Sequence, residues 1–142
     1  MLSSSSKYAV SAVLYLAVHS SDKNKIRAKE IAEAIKLPSP FLSKLLQTLS
    51  RENIISSSKG PTGGFFLTKK ALDSPLINVV TIIDGNNRLE ECVLGLKKCS
   101  GDHPCPVHYS VQPLKEKFKS ELGEKISVFA AKVKSGEAHL FV

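Results

Sequence analysis

Residues 37–52 read LPSPFLSKLLQTLSRE, and this stretch decides the fold. Proline disfavours a helical conformation in the residue before it, so Pro38 and Pro40 interrupt the chain here. Ser39 then stands as a natural N-cap with Pro40 at the first helical position, and a helix is predicted from there to about Glu52. Leu42, Leu45, Leu46 and Leu49 share one face of that helix. Ser43, Lys44, Gln47, Thr48 and Arg51 occupy the other. Upstream, Arg27–Ile35 reads as a short helix with Ile31, Ala32 and Ile35 inward and Arg27, Lys29, Glu30 and Glu33 outward. Helix, short break, helix is the helix-turn-helix plan. Downstream, Ile54–Ser57 reads as a strand, Ser58–Gly64 as a glycine-rich turn and Phe65–Thr68 as the returning strand, which together make a wing.

The polar face of the second helix has the side chains that DNA reading needs. Lys44 and Arg51 suit phosphate or guanine, Gln47 suits adenine, and the hydroxyls of Ser39, Ser43 and Thr48 suit phosphates. Arg27, at the opening of the preceding helix, adds another candidate contact. Any bundle helix also has a polar face, so the charge distribution bears on the choice. Residues 1–70 carry eleven Lys and Arg against four Asp and Glu, whereas residues 71–142 carry nine of each. The whole excess of +7 therefore lies on the N-terminal half. A nucleic-acid surface is expected there, the alternative on charge alone being a solvated basic face.

A chain of 142 residues predicts one domain able to bury a sizeable core, and 42% hydrophobic with 23% charged residues is an ordinary globular composition. Tyr8–Val18 is apolar nearly all round and reads as a buried first helix, too short to cross a bilayer. The serine run before it does not resemble a signal peptide, so the expected location is the cytoplasm, where cysteines serve as ligands or reactive thiols. No membrane association is expected. Nothing indicates an enzyme: there is no nucleotide loop, no carboxylate pair in a pocket-like context, and no partner constellation that would make the Cys/His set nucleophilic.

In the second half, Ile77–Ile83 is a short apolar helix stopped by Asp84-Gly85-Asn86-Asn87. From Tyr109 to about Lys134, Val111, Leu114, Phe118, Leu122, Ile126, Phe129 and Val133 recur at steps of three or four. That spacing predicts a single helix of about six turns, despite Gly123 within it. It is too long to bury its stripe in one small subunit, so it is expected to form a dimer, with Phe118, Leu122 and Phe129 between subunits. Packing back along its own domain is the alternative. The expected organisation is a mainly α chain with a small β-wing: a winged helix-turn-helix at 1–83, a cysteine-rich loop at 84–108, a dimerisation helix at 109–135 and a tail at 136–142.

All three cysteines lie in that loop, with the spacing Cys92-x6-Cys99-x5-Cys105-x2-His108. Three thiolates and an imidazole form a four-ligand set of the soft kind that selects iron–sulfur clusters or zinc. Zinc sites favour short Cys-x2-4-Cys knuckles, and none occurs here, while long uneven gaps suit a cluster. His103 could substitute for His108.

Taken together, these residues resemble the Rrf-two family of bacterial winged-helix regulators, over nearly all of Lys7 to Val133. The resemblance is carried by Tyr8-Ala9-Val10 opening the first helix, by Ala32–Leu49, by the wing Lys59-Gly60-Pro61-Thr62-Gly63-Gly64-Phe65, and by the three cysteines with His108. It implies that the second helix enters the major groove of a pseudo-palindromic duplex. The wing, with Lys59, Gly60, Pro61, Gly63 and Gly64, would reach the minor groove, and the last helix would make a homodimer. It also implies an iron–sulfur cluster whose state controls DNA affinity, although CymR-like members of the family lack the cluster. NsrR-like members take a carboxylate ligand from the position before the helix-opening tyrosine; here that residue is Lys7, which cannot ligate iron while protonated. The IscR-like set of three cysteines and a histidine fits better, so [2Fe–2S] is favoured over [4Fe–4S], held by Cys92, Cys99, Cys105 and His108. A zinc-stabilised or thiol-redox regulator is the alternative. The family wing usually begins with Arg and ends with Tyr where Lys59 and Phe65 stand, and IscR-like recognition helices have a glutamate at the place of Ser43, so the operator cannot be carried over.

Overall fold

The computed structural model describes residues 1–140, so the last two residues of the expected tail lie outside it. Helix α1 (Ser4–His19) is the central element, and it packs against four other helices because its apolar residues leave little polar face. Ala9, Ala12, Val13 and Leu16 are fully buried within it. Two of the partners are α2 (Ala28–Ile35) and α3 (Ser39–Arg51), joined by a tight turn in which Lys36 adopts a left-handed conformation with φ of 55°. Leu42, Leu45, Leu46 and Leu49 form the buried stripe of α3, as their spacing predicts. The cap itself is shifted: Pro38 is the N-cap and Ser39 the first helical residue, with no side-chain capping bond.

The wing is an antiparallel pair, β1 (Ser56–Ser58) and β2 (Gly64–Phe66), in the register Ser56↔Phe66, Ser57↔Phe65 and Ser58↔Gly64. β1 starts two residues later than the sequence predicts. The amides of Ile54 and Ile55 both bond to the Leu49 carbonyl and close the end of α3, so they cannot join a ladder. A one-turn helix, α4 (Lys69–Leu72), follows, capped by Thr68, whose hydroxyl accepts from the Ala71 amide. It was not expected. Helix α5 (Ile77–Asp84) then leads into the cysteine loop.

The single long helix predicted after that loop is two helices, α6 (His108–Leu122) and α7 (Ile126–Lys134). Lys125 is extended and bridges Pro75, with Leu76 N–H donating to Glu124 O and Ile126 N–H to Ser74 O, each at 3.0 Å. These tertiary bonds replace helical ones at a point that Gly123 already weakens. The turn lays α7 on α1 and buries Ile126 and Ala130. Leu122 is therefore inside its own subunit, and a charge placed there would break this core before it reached any dimer seam. Phe118 and Phe129 pack partly on the same core, whereas Tyr109 and Leu114 of α6 stay 70% and 62% exposed. No helix among the described residues is long and apolar enough to cross a membrane.

One polar network ties the start of α1 to the end of α5. Ser3 donates to Asp84 from both its amide and its hydroxyl, and Arg88 lies 3.8 Å from the same carboxylate. Burial pushes the Asp84 carboxyl up, but the Ser3 hydrogen bonds and the Arg88 charge outweigh it and hold the pKa below its ordinary value of 3.8. A depressed folded pKa stabilises above the unfolded value and is lost as pH falls through the folded one. Asp84→Ala is accordingly expected to cost about 0.5–2 kcal/mol at pH 7, the range for a lost helix cap. The deficit should shrink as pH falls below the ordinary carboxylate range and through the depressed folded pKa, which urea melts across pH 2–7 would test.

Candidate functional site

Two sets of side chains stand out, one on α3 and the wing, the other on the cysteine loop. On α3, Ser39, Lys44, Gln47 and Arg51 are exposed, and Ser43 and Thr48 are half-buried beside them. The Thr48 hydroxyl donates to the Lys44 carbonyl at 3.1 Å, within its own helix. Ser50 and Ser57 hydroxyls meet at 3.1 Å and fasten the end of α3 to β1.

The wing turn depends on its glycines. A Cβ on Gly63 would stand 2.4 Å from the Ser58 carbonyl oxygen, and one on Gly64 would stand 2.8 Å from the Ile26 backbone. Gly64 permits that approach because Phe65 and Ile26 exchange two backbone hydrogen bonds, of 2.7 and 2.9 Å, which add a third segment to the hairpin. Lys59, Gly60 and Pro61 are exposed at the tip. The tip is braced by Arg27, whose guanidinium donates to Gly60 O at 3.2 Å and to Pro61 O at 2.6 Å. Spacing could not reveal that role, since 33 residues separate Arg27 from Gly60. Arg27→Ala is expected to leave the thermal midpoint nearly unchanged while speeding amide exchange in residues 58–64.

The loop brings Cys92, Cys99 and Cys105 together, with all three sulfurs within 4.8 Å of one another. The Cys92 and Cys105 sulfurs are 3.8 Å apart, and His108 Nδ1 lies 3.2 Å from the Cys99 sulfur. His108 touches the thiols because it opens α6 directly after the loop, while His103 is exposed in a turn in which Ser100 and His103 exchange backbone bonds. The Leu96 backbone amide, against burial and with help from the Leu94 amide and the two neighbouring thiols, lowers the Cys92 thiol to about 7. Cys99 moves the other way. The Cys105 amide favours its thiolate, but burial and the competing thiols outweigh that and raise its pKa. Three thiols this close do not all ionise unaided, and a bound cation is what would let them.

The donor set fits a soft metal group. Two thiolates at ~2.3 Å from one tetrahedral ion lie about 3.8 Å apart, as Cys92 and Cys105 do. Spanning two irons requires the third thiol and His108 to spread outward, which gaps of six and five residues allow. Spacing also conceals one neighbour. Lys115, four residues after Val111 and three before Phe118, falls on the inward face of α6 and is buried beside the loop.

Comparison with known proteins follows the same lines. The family model for Rrf2, described as "Iron-dependent Transcriptional regulator", matches residues 2–127. An HTH-type transcriptional regulator of Aquifex aeolicus is 34% identical over 115 residues, covering 80% of this chain and 78% of that one. The HTH-type transcriptional regulator IscR of Yersinia pseudotuberculosis is 31% identical over 121 residues, covering 85% of this chain and 73% of the relative. Among solved structures, CymR, the global cysteine regulator of B. subtilis, superposes with a TM-score of 0.71 at 17% identity, covering 92% of this chain and 96% of its own. IscR of T. potens superposes at 0.70 with 21% identity, covering 97% and 91%. At such identities the two superpositions establish the winged-helix fold.

Proposed function

The chain belongs to the Rrf2 family of transcriptional regulators, and on that premise we propose that it is a dimeric DNA-binding regulator controlled by an iron–sulfur cluster. One observation carries the reading: Cys92, Cys99 and Cys105 converge within 4.8 Å, with His108 against Cys99, in the loop that joins the winged half to α6. Those four residues would hold the cluster, [2Fe–2S] in preference to [4Fe–4S]. When bound, it supplies a one-electron redox centre that oxidants, nitric oxide or iron shortage dismantle.

The chain's own residues do the rest. Lys44, Gln47 and Arg51 face the major groove, with Ser39, Ser43 and Thr48 at their flanks. Lys59, Gly60, Pro61, Gly63 and Gly64 reach the minor groove, and Arg27 holds that wing in place. The second copy pairs through α6, on the side where Leu114 lies open. A two-fold dimer imposes its symmetry on the operator, so half-sites one or two helical turns apart are expected. Ligation orders the loop between α5 and α6, and ordering it differently in two arrangements of the dimer is what changes operator affinity.

A second reading, a zinc-stabilised or thiol-redox regulator without a cluster, is favoured by the 3.8 Å separation of Cys92 and Cys105, which suits one ion. Anaerobic reconstitution with iron and sulfide, followed by metal analysis and operator titration, separates the two. Uptake of iron with sulfide, and affinities of loaded and metal-free protein differing by about 5–150-fold on some operator, would support the cluster reading. Uptake of one zinc per chain and never iron, or a cluster without effect on every operator tried, would overturn it.

A further inference from the structure

Lys115 is 9% exposed, the least exposed charged residue among the described residues. Lysine is almost never fully buried without a partner. Its ammonium donates to the backbone carbonyls of Glu90, at 3.3 Å, and Glu91. No carboxylate among the described residues forms a salt bridge with it; the Glu90 carboxylate is taken by Lys119, one turn further along α6. Carbonyl dipoles orient a buried cation but supply no opposite charge. Lys115 also lines the small cavity shared by Cys92, Cys99, Cys105 and His108.

Resting on the ligand reading above, we propose that Lys115 is the internal counter-ion of the thiol centre, and that it clasps the start of the cysteine loop through the Glu90 and Glu91 carbonyls. The charge balance is the same whichever group binds. Three thiolates with one divalent ion, or with an oxidised [2Fe–2S] core of charge +2, leave a net charge of −1, and one buried ammonium neutralises it. Without a ligated group the three thiols do not supply the full set of negative charges, so burial of the ammonium favours the ionised, metal-bound ligand set. Lys115 is thus a positioning residue that sets the affinity of the centre without touching the metal.

The test uses Co(II) as a probe of the thiol centre, titrated anaerobically into the full-length reduced chain and followed by cobalt–thiolate absorbance. Lys115→Met keeps the volume and removes the charge, and is expected to weaken Co(II) binding by roughly 10–100-fold, as loss of an outer-shell partner does, with unchanged circular dichroism. Lys115→Gln, which keeps a donor for the carbonyls but not the charge, should weaken it nearly as much. Lys115→Arg should restore binding to within a few-fold of wild type. A Met or Gln variant that titrates like wild type, or an Arg variant as weak as Met, overturns the proposal. A wild-type chain that takes up no Co(II) overturns the ligand reading, and this inference with it.

Discussion

Cys105→Ala is expected to yield a folded protein that retains no iron–sulfur cluster. Cys105 is the hub of the site: its sulfur meets Cys92 at 3.8 Å, and its backbone amide faces the Cys99 thiol. The side chain is buried but small, and it lies outside the main hydrophobic core around α1, so truncation leaves the helices intact. Removing it leaves two thiols and an imidazole, one ligand short of the set the loop supplies. Iron and sulfide content after anaerobic reconstitution should fall to background, while far-ultraviolet circular dichroism stays that of wild type. Operator affinity should then equal that of metal-free wild type, erasing the 5–150-fold regulatory difference. His108→Ala should behave differently, giving a weaker or shorter-lived cluster, because solvent or His103 can take that position. A Cys105→Ala chain with wild-type iron and sulfide would show that Cys105 is not a required ligand and overturn the four-residue ligand set.

The second large effect is expected on α3. Lys44, Gln47 and Arg51 are exposed on the face opposite the buried leucines, so replacing all three by alanine should not disturb the fold. Each base contact contributes about 1–3 kcal/mol of discrimination, so the triple variant should lose specific operator binding by at least about a hundred-fold. The single variants separate the roles. Lys44→Ala or Arg51→Ala at a phosphate should lower the slope of log affinity against log salt by about one unit. Gln47→Ala should relax preference at one adenine and leave the salt slope alone. Fluorescence anisotropy on operator and scrambled duplexes at several salt concentrations reads both quantities. A triple variant that binds as tightly and as selectively as wild type would remove α3 from the interface.

Much of this architecture was legible in the sequence because the hydrophobic spacing is unambiguous where the chain is regular. The leucine stripe of α3, the Pro38–Pro40 break and the glycine-rich turn each had a local cause, and each element formed close to where it was expected. What escaped was decided by distant partners. The stripe of the C-terminal segment continues in phase across the α6–α7 corner, since Leu122 and Ile126 are four residues apart, so periodicity cannot show the turn. The pairing of Lys125 with Pro75 makes it. The four residues of α4 are too few for a periodic signal, and only Thr68 marked its start. At the thiol centre the ligand types were legible, whereas the buried Lys115 and the Arg27 brace depend on contacts with chain segments 24 to 34 residues away.

The corner between α6 and α7 has a mechanical consequence. A 27-residue rod would have held the cysteine loop and the C-terminal end in one stiff line. Instead α6 is a boom of fifteen residues, about 22 Å long, stepped at Ser74–Leu76 and carrying His108 at its far end, against the thiols. Over that length a tilt of about 5° at the foot sweeps the His108 end through about 2 Å. In the proposed dimer, displacements as small as a bond length at the thiols would thereby be geared to a change in the angle at which α6 meets its twin, and so to the pitch of two recognition helices against one duplex.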